Sequence, residues 1–201
     1  MMKTRFLFLY LIYLLLIGCG NPDQSFIIQG TLPSARYDGE WIYLVPMENP
    51  QGRVDSVKIA DATFSFKGTG EEMRVLRLRH ILRLRIQELL VVTEPGTILV
   101  KADSIGSVTG TPQNEALQSW KEDREKKQTA YQFIRKGLRT AVGTDSLRLV
   151  QQGDTLRIQE QERNFLFLQK QGNNTLGKFM QKMLRNSLTE DQRKKLDESL
   201  Q

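Results

Sequence analysis

Between Phe26 and Gly110 apolar side chains return at every second position, and beyond Thr111 they return every three to four. That change of period constrains the fold more than any other feature. A two-residue repeat covers one face of a strand, and a 3.6-residue repeat covers one face of a helix. The chain is therefore expected to be α+β, with an N-terminal antiparallel β-sandwich-like domain over residues 26–110 and a helical region over residues 111–201. Phe26-Ile27-Ile28, Trp41–Val45, Val54–Ile59 and Ala62–Lys67 read as the first strands. Asp61 stands between the last two, where it predicts a hairpin turn. The strictest alternation comes next, with Leu76, Leu78, Leu82, Leu84 and Ile86 set against Arg77, Arg79, Arg83 and Arg85. It predicts strands with an arginine stripe toward solvent. Leu89–Val92, Thr97–Val100 and Ser107–Thr109 bring the expected set to about eight or nine short strands, the density of a sandwich or a strongly curved sheet.

The helical pattern opens with Ala116, Leu117 and Trp120 and resumes with Tyr131, Ile134 and Leu138. Between them Lys121–Gln128 is nearly all polar, which predicts a length of helix projecting from the body or weakly covered. Gly143 and Gly153 are expected to bracket a turn, with a second helix from near Asp154 to Gln171 and Gly172 as its C-cap. Leu176, Phe179, Met180, Met183 and Leu184 then predict one buried stripe. Thr189-Glu190-Asp191-Gln192 has the spacing of a capping box, opening a last helix with Leu196 and Leu200 inward. Trp41 and Trp120 are expected as core or junction anchors.

The start of the chain bears on location. Lys3 and Arg5 precede the unbroken apolar run Phe6–Ile17, and the run closes on Leu16-Ile17-Gly18-Cys19. A basic segment, an apolar segment and small residues at a cut site are the layout of a secretory leader, here residues 1–18. The run is shorter than the roughly 20 residues a spanning helix needs. Leu-Ile-Gly-Cys also fits a bacterial lipobox, which makes Cys19 the expected lipidation site and the membrane the expected first partner. It is the only cysteine, so an internal disulfide is excluded. Gly20–Ser25 reads as a short tether, so residues 19–25 link anchor to body. Gly20 is not the aspartate that some bacteria use for inner-membrane retention, which points the anchor toward the outer membrane. Loss of Lys3 and Arg5 with the leader leaves 27 basic residues against 23 acidic, too mild a balance for a nucleic-acid signature.

Candidate chemistry is sparse. His80 is the sole histidine and no Gly-x-Ser-x-Gly turn is present, so a Ser–His–Asp site lacks its parts and His80 reads as a strand-end residue. One histidine and one lipid-capped cysteine do not make a zinc site, and no metal or cofactor is expected. Gly172–Lys178 has the spacing of a phosphate-binding loop, but Phe179 stands where a hydroxyl must hold magnesium. The guanidinium groups of Arg74, Arg77, Arg79, Arg83 and Arg85 have the chemistry to grip carboxylates, phosphates or sulfates bidentately. The plainer alternative is a solvated sheet face, partly neutralised by Glu71, Glu72 and Glu88.

Several pieces of the chain, taken in order, resemble a known family. They are Phe26–Leu32, Trp41–Leu44, Val54–Val57, Phe64–Gly68, Glu94–Ile98 and Val108–Glu115, with weaker likeness around Asn173–Lys178 and Leu188–Gln192. Together they resemble the domain of unknown function 4369, found at the N-terminus of thioredoxin-like thiol–disulfide oxidoreductase lipoproteins of Gram-negative bacteria. The family's redox chemistry lives in a C-terminal Cys-x-x-Cys domain. No such motif occurs up to Gln201, so neither that activity nor any catalytic residue carries over. Ala62 also departs from the family's pattern, standing where a turn glycine is usual. The expectation is an exported, membrane-anchored, non-enzymatic binding or accessory module, with an accessory subunit of a thiol–disulfide oxidoreductase system as the alternative.

Overall fold

Alternating sequence becomes two facing sheets. The structure, a computed structural model, describes residues 24–49, 51–78, 89–103 and 105–199. One sheet holds β1 (Ser25–Thr31), β4 (Thr63–Thr69), β7 (Gly96–Lys101) and β8 (Ser107–Thr109), in the order β4-β1-β7-β8. The other holds β2 (Trp41–Pro46), β3 (Asp55–Lys58), β5 (Met73–Leu78) and β6 (Leu89–Val92), in the order β3-β2-β5-β6. Four helices follow: α1 (Pro112–Gly137), α2 (Thr144–Gln171), α3 (Thr175–Leu184) and α4 (Glu190–Ser199). The α+β class and the order of sheets before helices match the reading of the sequence. Among the described residues one pairing is parallel, β1 with β7: the chain crosses to the other sheet after Thr31, returns for β4 at Thr63, crosses again after Thr69 and returns at Gly96 on the other side of β1.

Pairing within the first sheet explains its glycines. Antiparallel register sets Phe26 opposite Gly68, Ile28 opposite Phe66 and Gly30 opposite Phe64. Residues opposite one another share a face, so each terminal phenylalanine lies over the glycine of the partner strand. A methyl group on Gly30 would fall 1.9 Å from the Phe64 ring, and one on Gly68 would fall 2.7 Å from Phe26. These rings join Ile28, Ile42, Leu44, Leu76, Val91, Ile98 and Val108 in the core between the sheets.

The expected hairpin around Asp61 is corrected in part. Its turn is present: Ala60 and Thr63 exchange backbone hydrogen bonds of 3.1 and 2.8 Å. The strands then part, β3 pairing with β2 and β4 with β1, because Val57 and Ile59 face Phe64 and Phe66 across the core rather than along one sheet. Asp61 and Ala62 hold φ of 51° and 54°, the left-handed pair that a two-residue turn of this type demands. Asp38 steadies them, its carboxylate accepting the Asp61 and Ala62 N–H groups at 3.1 and 2.9 Å. Alanine is strained there and glycine is not. Ala62→Gly is expected to stabilise the fold by about 0.5–1 kcal/mol, read as a rise in the urea midpoint at unchanged slope.

A second core explains why β5 is not the one-sided strand its sequence predicts. Met73 and Val75 lie on one face and Leu76 on the other, and all three are buried. Leu76 enters the sandwich, while Met73 and Val92 meet Leu117, Trp120, Phe165, Leu168, Leu176, Met180 and Leu196 from the helices. The helices therefore cover the outer face of β5–β6. Trp120 acts as the expected junction anchor, its Nε1 donating to Asn164 Oδ1 at 3.2 Å. Trp41 does not: it sits exposed on the outer face of β2, opposite Lys58, whose Nζ lies 5.4 Å from the ring centroid.

Other helix expectations divide similarly. Gly172 closes α2 with φ 57°, and its N–H donates to the Leu168 carbonyl. Thr189 and Gln192 form the reciprocal capping box at 3.0 and 3.2 Å, and Leu196 is buried. Leu200 lies outside the described residues. Met183 is exposed, at the edge of the stripe formed by Leu176, Phe179, Met180 and Leu184. Gly153 is no turn residue, since α2 starts nine positions earlier, at Thr144, and runs straight through it. Helix packing outweighs the cost of about 1 kcal/mol that a mid-helix glycine carries.

Candidate functional site

Among the described residues, buried polar side chains gather at the junction where α1 begins. Glu94, in the turn before β7, is almost entirely buried. Its Oε1 accepts the backbone N–H groups of Gln113 and Asn114 at 2.7 and 3.1 Å, and its Oε2 accepts from Gln113 Nε2 at 3.2 Å. A carboxylate borrowed from the sheet thus caps the first turn of α1, where backbone donors are otherwise unpaired and the helix dipole favours negative charge. Thr111, the N-cap, makes no capping bond of its own. Gln113 passes the connection on: its Oε1 accepts the Leu176 N–H at the start of α3 at 2.8 Å.

Asn114, fully buried, mimics a strand residue. Its Oδ1 accepts the Val92 N–H at 2.9 Å and its Nδ2 donates to the Val92 carbonyl at 2.8 Å. One turn later Gln118 Oε1 accepts the Val108 N–H at 3.2 Å. Two amides four residues apart therefore seal two sheet edges, β6 of one sheet and β8 of the other. Among the described residues no buried side-chain nitrogen or oxygen lacks a partner. The buried side chains of this network spend hydrogen bonds on helix ends and sheet edges, which is a structural role.

The arginine stripe is divided by the structure. Arg77 is exposed on β5, opposite Tyr43. Arg74 is three residues away and points to the other face, where it meets Asp55 at 2.8 Å and Glu72 at 2.5 Å. It belongs to a closed ion-pair cluster and not to the stripe, because an odd spacing along a strand reverses the side chain. Glu72 is engaged by Arg74, and Glu71 accepts from Gln113 Nε2 at 2.7 Å. Arg79, His80, Arg83, Arg85 and Glu88 lie outside the described residues, as does Cys19.

Two open depressions offer ligand-facing chemistry. One, of about 620 Å³, lies between α1 and α2 and is lined by Arg124, Lys127, Tyr131, Arg135, Leu138 and Glu160, among others. Tyr131 Oη donates to Glu160 Oε2 at 3.3 Å, and burial followed by that carboxylate's charge pushes the phenol above its ordinary range. The other, of about 730 Å³, is the outer face of the first sheet, where Gln29, Thr31, Thr63, Ser65, Lys101 and Thr109 present hydroxyls, an amide and an ammonium. The first is invisible at period 2. Arg124, Lys127, Tyr131 and Arg135 recur at the helical spacing, which is the signal that places them on one face. Among the described residues no three His, Cys, Asp or Glu side chains converge as metal ligands, and no helix is long and apolar enough to cross a membrane.

The stretches that carry the likeness noted above now have physical roles. Phe26 with Gly68 and Gly30 with Phe64 interlock β1 and β4, while Glu94 with Gln113 and Asn114 joins sheet to helix. A family model agrees with those between Phe26 and Leu117, that of the domain of unknown function DUF4369, which matches residues 26–117. Residues 26–117 are similar to DUF4369. The match ends at Leu117, so the DUF4369 stretch takes in the whole double sheet and the first turns of α1 with their capping network. No curated protein and no solved structure matches the chain.

Proposed function

We propose that this chain is an exported lipoprotein, held in the cell envelope by a diacylglycerol on Cys19 and acting as a non-enzymatic binding or accessory module. The observation that carries the reading is the order Lys3, Arg5, Phe6–Ile17, Gly18-Cys19. Burying acyl chains is worth about 0.8 kcal/mol per methylene, so one long chain contributes about 10 kcal/mol gross, and two or three make release negligible. The folded body follows closely. Ser25 opens β1 and Phe26 is already in the core, so at most about 21 Å of extended chain separates Cys19 from the sheet.

Binding, and not catalysis, is supported by what the polar residues do. The buried ones close helix ends and sheet edges, and thiol exchange needs a free thiolate that a lipid-capped Cys19 does not offer. The open hydroxyl face of the first sheet and the basic depression along α1 remain as the docking surfaces.

The DUF4369 match favours a second reading, an accessory subunit that serves a thiol–disulfide oxidoreductase. Cross-linking in intact membranes followed by capture of this chain distinguishes the two. Recovery of a Cys-x-x-Cys protein supports the second reading, and recovery of other envelope components supports the first. The anchor itself is tested by Cys19→Ala, which is expected to leave the membrane fraction free of lipid-labelled protein and to shift the chain's electrophoretic mobility. Unchanged labelling and mobility would remove the lipoprotein reading.

A further inference from the structure

Exposed apolar side chains are not scattered evenly over this molecule. Val142, the most exposed large hydrophobic among the described residues at 82%, sits in the turn joining α1 to α2, with Phe133 at 74% and Leu147 at 65% on either side. Val150 follows one turn further along α2 and is also exposed. Basic residues surround them: Arg135, Lys136 and Arg139 on the α1 side and Arg148 on the α2 side, against the single carboxylate of Asp145. Asp145 is taken by Arg148 at 3.3 Å. Among the described residues no carboxylate pairs with Arg135, Lys136 or Arg139.

This end of the hairpin stands away from both cores. The body grips α1 through Gln113–Trp120 and α2 through Asn164–Leu168. Farther out the contacts run between the two helices themselves: Asp123 with Arg163 at 3.1 Å, Tyr131 with Glu160, and Gly137 against Leu149. At 1.5 Å per residue α1 is about 39 Å long, so the turn is carried well clear of the sheets.

We propose that the α1–α2 turn is a second membrane contact, with Val142, Leu147 and Phe133 entering the headgroup boundary of an anionic bilayer and Arg135, Lys136 and Arg139 meeting its phosphates. Shape and charge both fit such a surface. Amphipathic elements that lie in this boundary bury apolar side chains about 5–10 Å deep and flank them with Lys and Arg, whose long stems keep the charge at the phosphate level. A protein interface of ordinary stability needs about 800 Å² on each partner with good shape complementarity, and a narrow convex turn built on valine and leucine offers less than that. Three cations without a carboxylate partner among the described residues, Arg135 and Lys136 in the last turn of α1 and Arg139 just beyond it, complement a negative leaflet, whose surface attracts basic segments within a Debye length.

The test uses the full-length chain carrying Cys19→Ser, so that Val142→Cys supplies the only thiol for an environment-sensitive fluorophore. A second chain carries the same label at Ser65→Cys, on the outer face of the first sheet. Both are mixed with phosphatidylcholine vesicles with or without about one third phosphatidylglycerol. The Val142 probe is expected to be quenched by lipid-borne nitroxide at least about threefold more than the Ser65 probe, and to be shielded from aqueous iodide. That contrast should shrink without phosphatidylglycerol, at about 0.5 M salt, or in the Arg135→Glu/Lys136→Glu/Arg139→Glu chain. All three positions are exposed, so an unchanged melting temperature confirms that the variant is folded. Equal quenching of the two probes, or a contrast indifferent to the charge reversals, overturns the proposal. So does protection of Val142 by an envelope protein in native membranes when vesicles give none. The readout is local to the turn, so its result is independent of whether Cys19 carries lipid.

Discussion

Gly30→Ala is expected to lower stability by about 2–4 kcal/mol, enough to prevent folding if the domain is only marginally stable. The added methyl would lie 1.9–2.4 Å from three atoms of the Phe64 ring, and Phe64 has nowhere to go. It is buried and packs edge-on against Phe66 at 6.0 Å between centroids. Either β1 and β4 move apart at their Gly30–Phe64 pair, or the ring leaves the core and forfeits its burial, which is worth about 1.5–3 kcal/mol. The cause can be isolated by a double-mutant cycle. Phe64→Leu alone should cost about 1–2 kcal/mol, and added to Gly30→Ala it should recover much of the first loss, a coupling of about 1–3 kcal/mol. Gly153→Ala is the internal control. Its methyl would meet Ile134 at 3.9 Å, an ordinary contact, so in mid-helix it should be neutral or stabilising by up to about 1 kcal/mol. Urea midpoints at matched slopes decide all four variants. A Gly30→Ala protein as stable as the parent would mean that β1 and β4 do not hold this register.

Asn114→Ala should cost about 3 kcal/mol although it removes only one small side chain. Most of the loss comes from what is left behind. The Val92 N–H and carbonyl at the edge of β6 would remain buried without partners, at about 1–3 kcal/mol for each such group. Gln118→Ala strips a single bond from the β8 edge at a site that is still nearly buried, so a smaller loss of about 1–2 kcal/mol is expected. Hydrogen exchange separates the two effects. The Val92 amide should lose protection first in Asn114→Ala, and the Val108 amide first in Gln118→Ala. Equal protection at Val92 in the parent and in Asn114→Ala would show that this amide does not seal the edge.

These two sites show what the sequence disclosed and what it withheld. Periods 2 and 3.6 were legible, and with them the division into sheets and helices near Thr111. Local cap chemistry was legible too, at Gly172 and at Thr189–Gln192, because its donors and acceptors lie within a few residues. What could not be read was which strand neighbours which. Phe64 and Gly30 are far apart in sequence, and their match is visible only once β1 and β4 are in register. The same lack of long-range information turned the Asp61–Ala62 turn into an expected hairpin, although its strands belong to opposite sheets. Arg74 was grouped with Arg77 by composition, and the pleat sends it the other way to Asp55 and Glu72. Glu94 and Asn114 look like ordinary turn and helix-start residues until the helix end and the sheet edge are placed beside them. The same holds at the candidate surfaces: Arg124, Lys127 and Arg135 share no face at strand spacing, and only the helix period brings them together.

Where this chain lives decides what it can do, and the mass of the native protein purified from membranes tests that most directly. The proposal predicts a chain beginning at Cys19, heavier than its residues by a thioether-linked diacylglycerol. A chain that retains residues 1–18 and carries an unmodified Cys19 would contradict it.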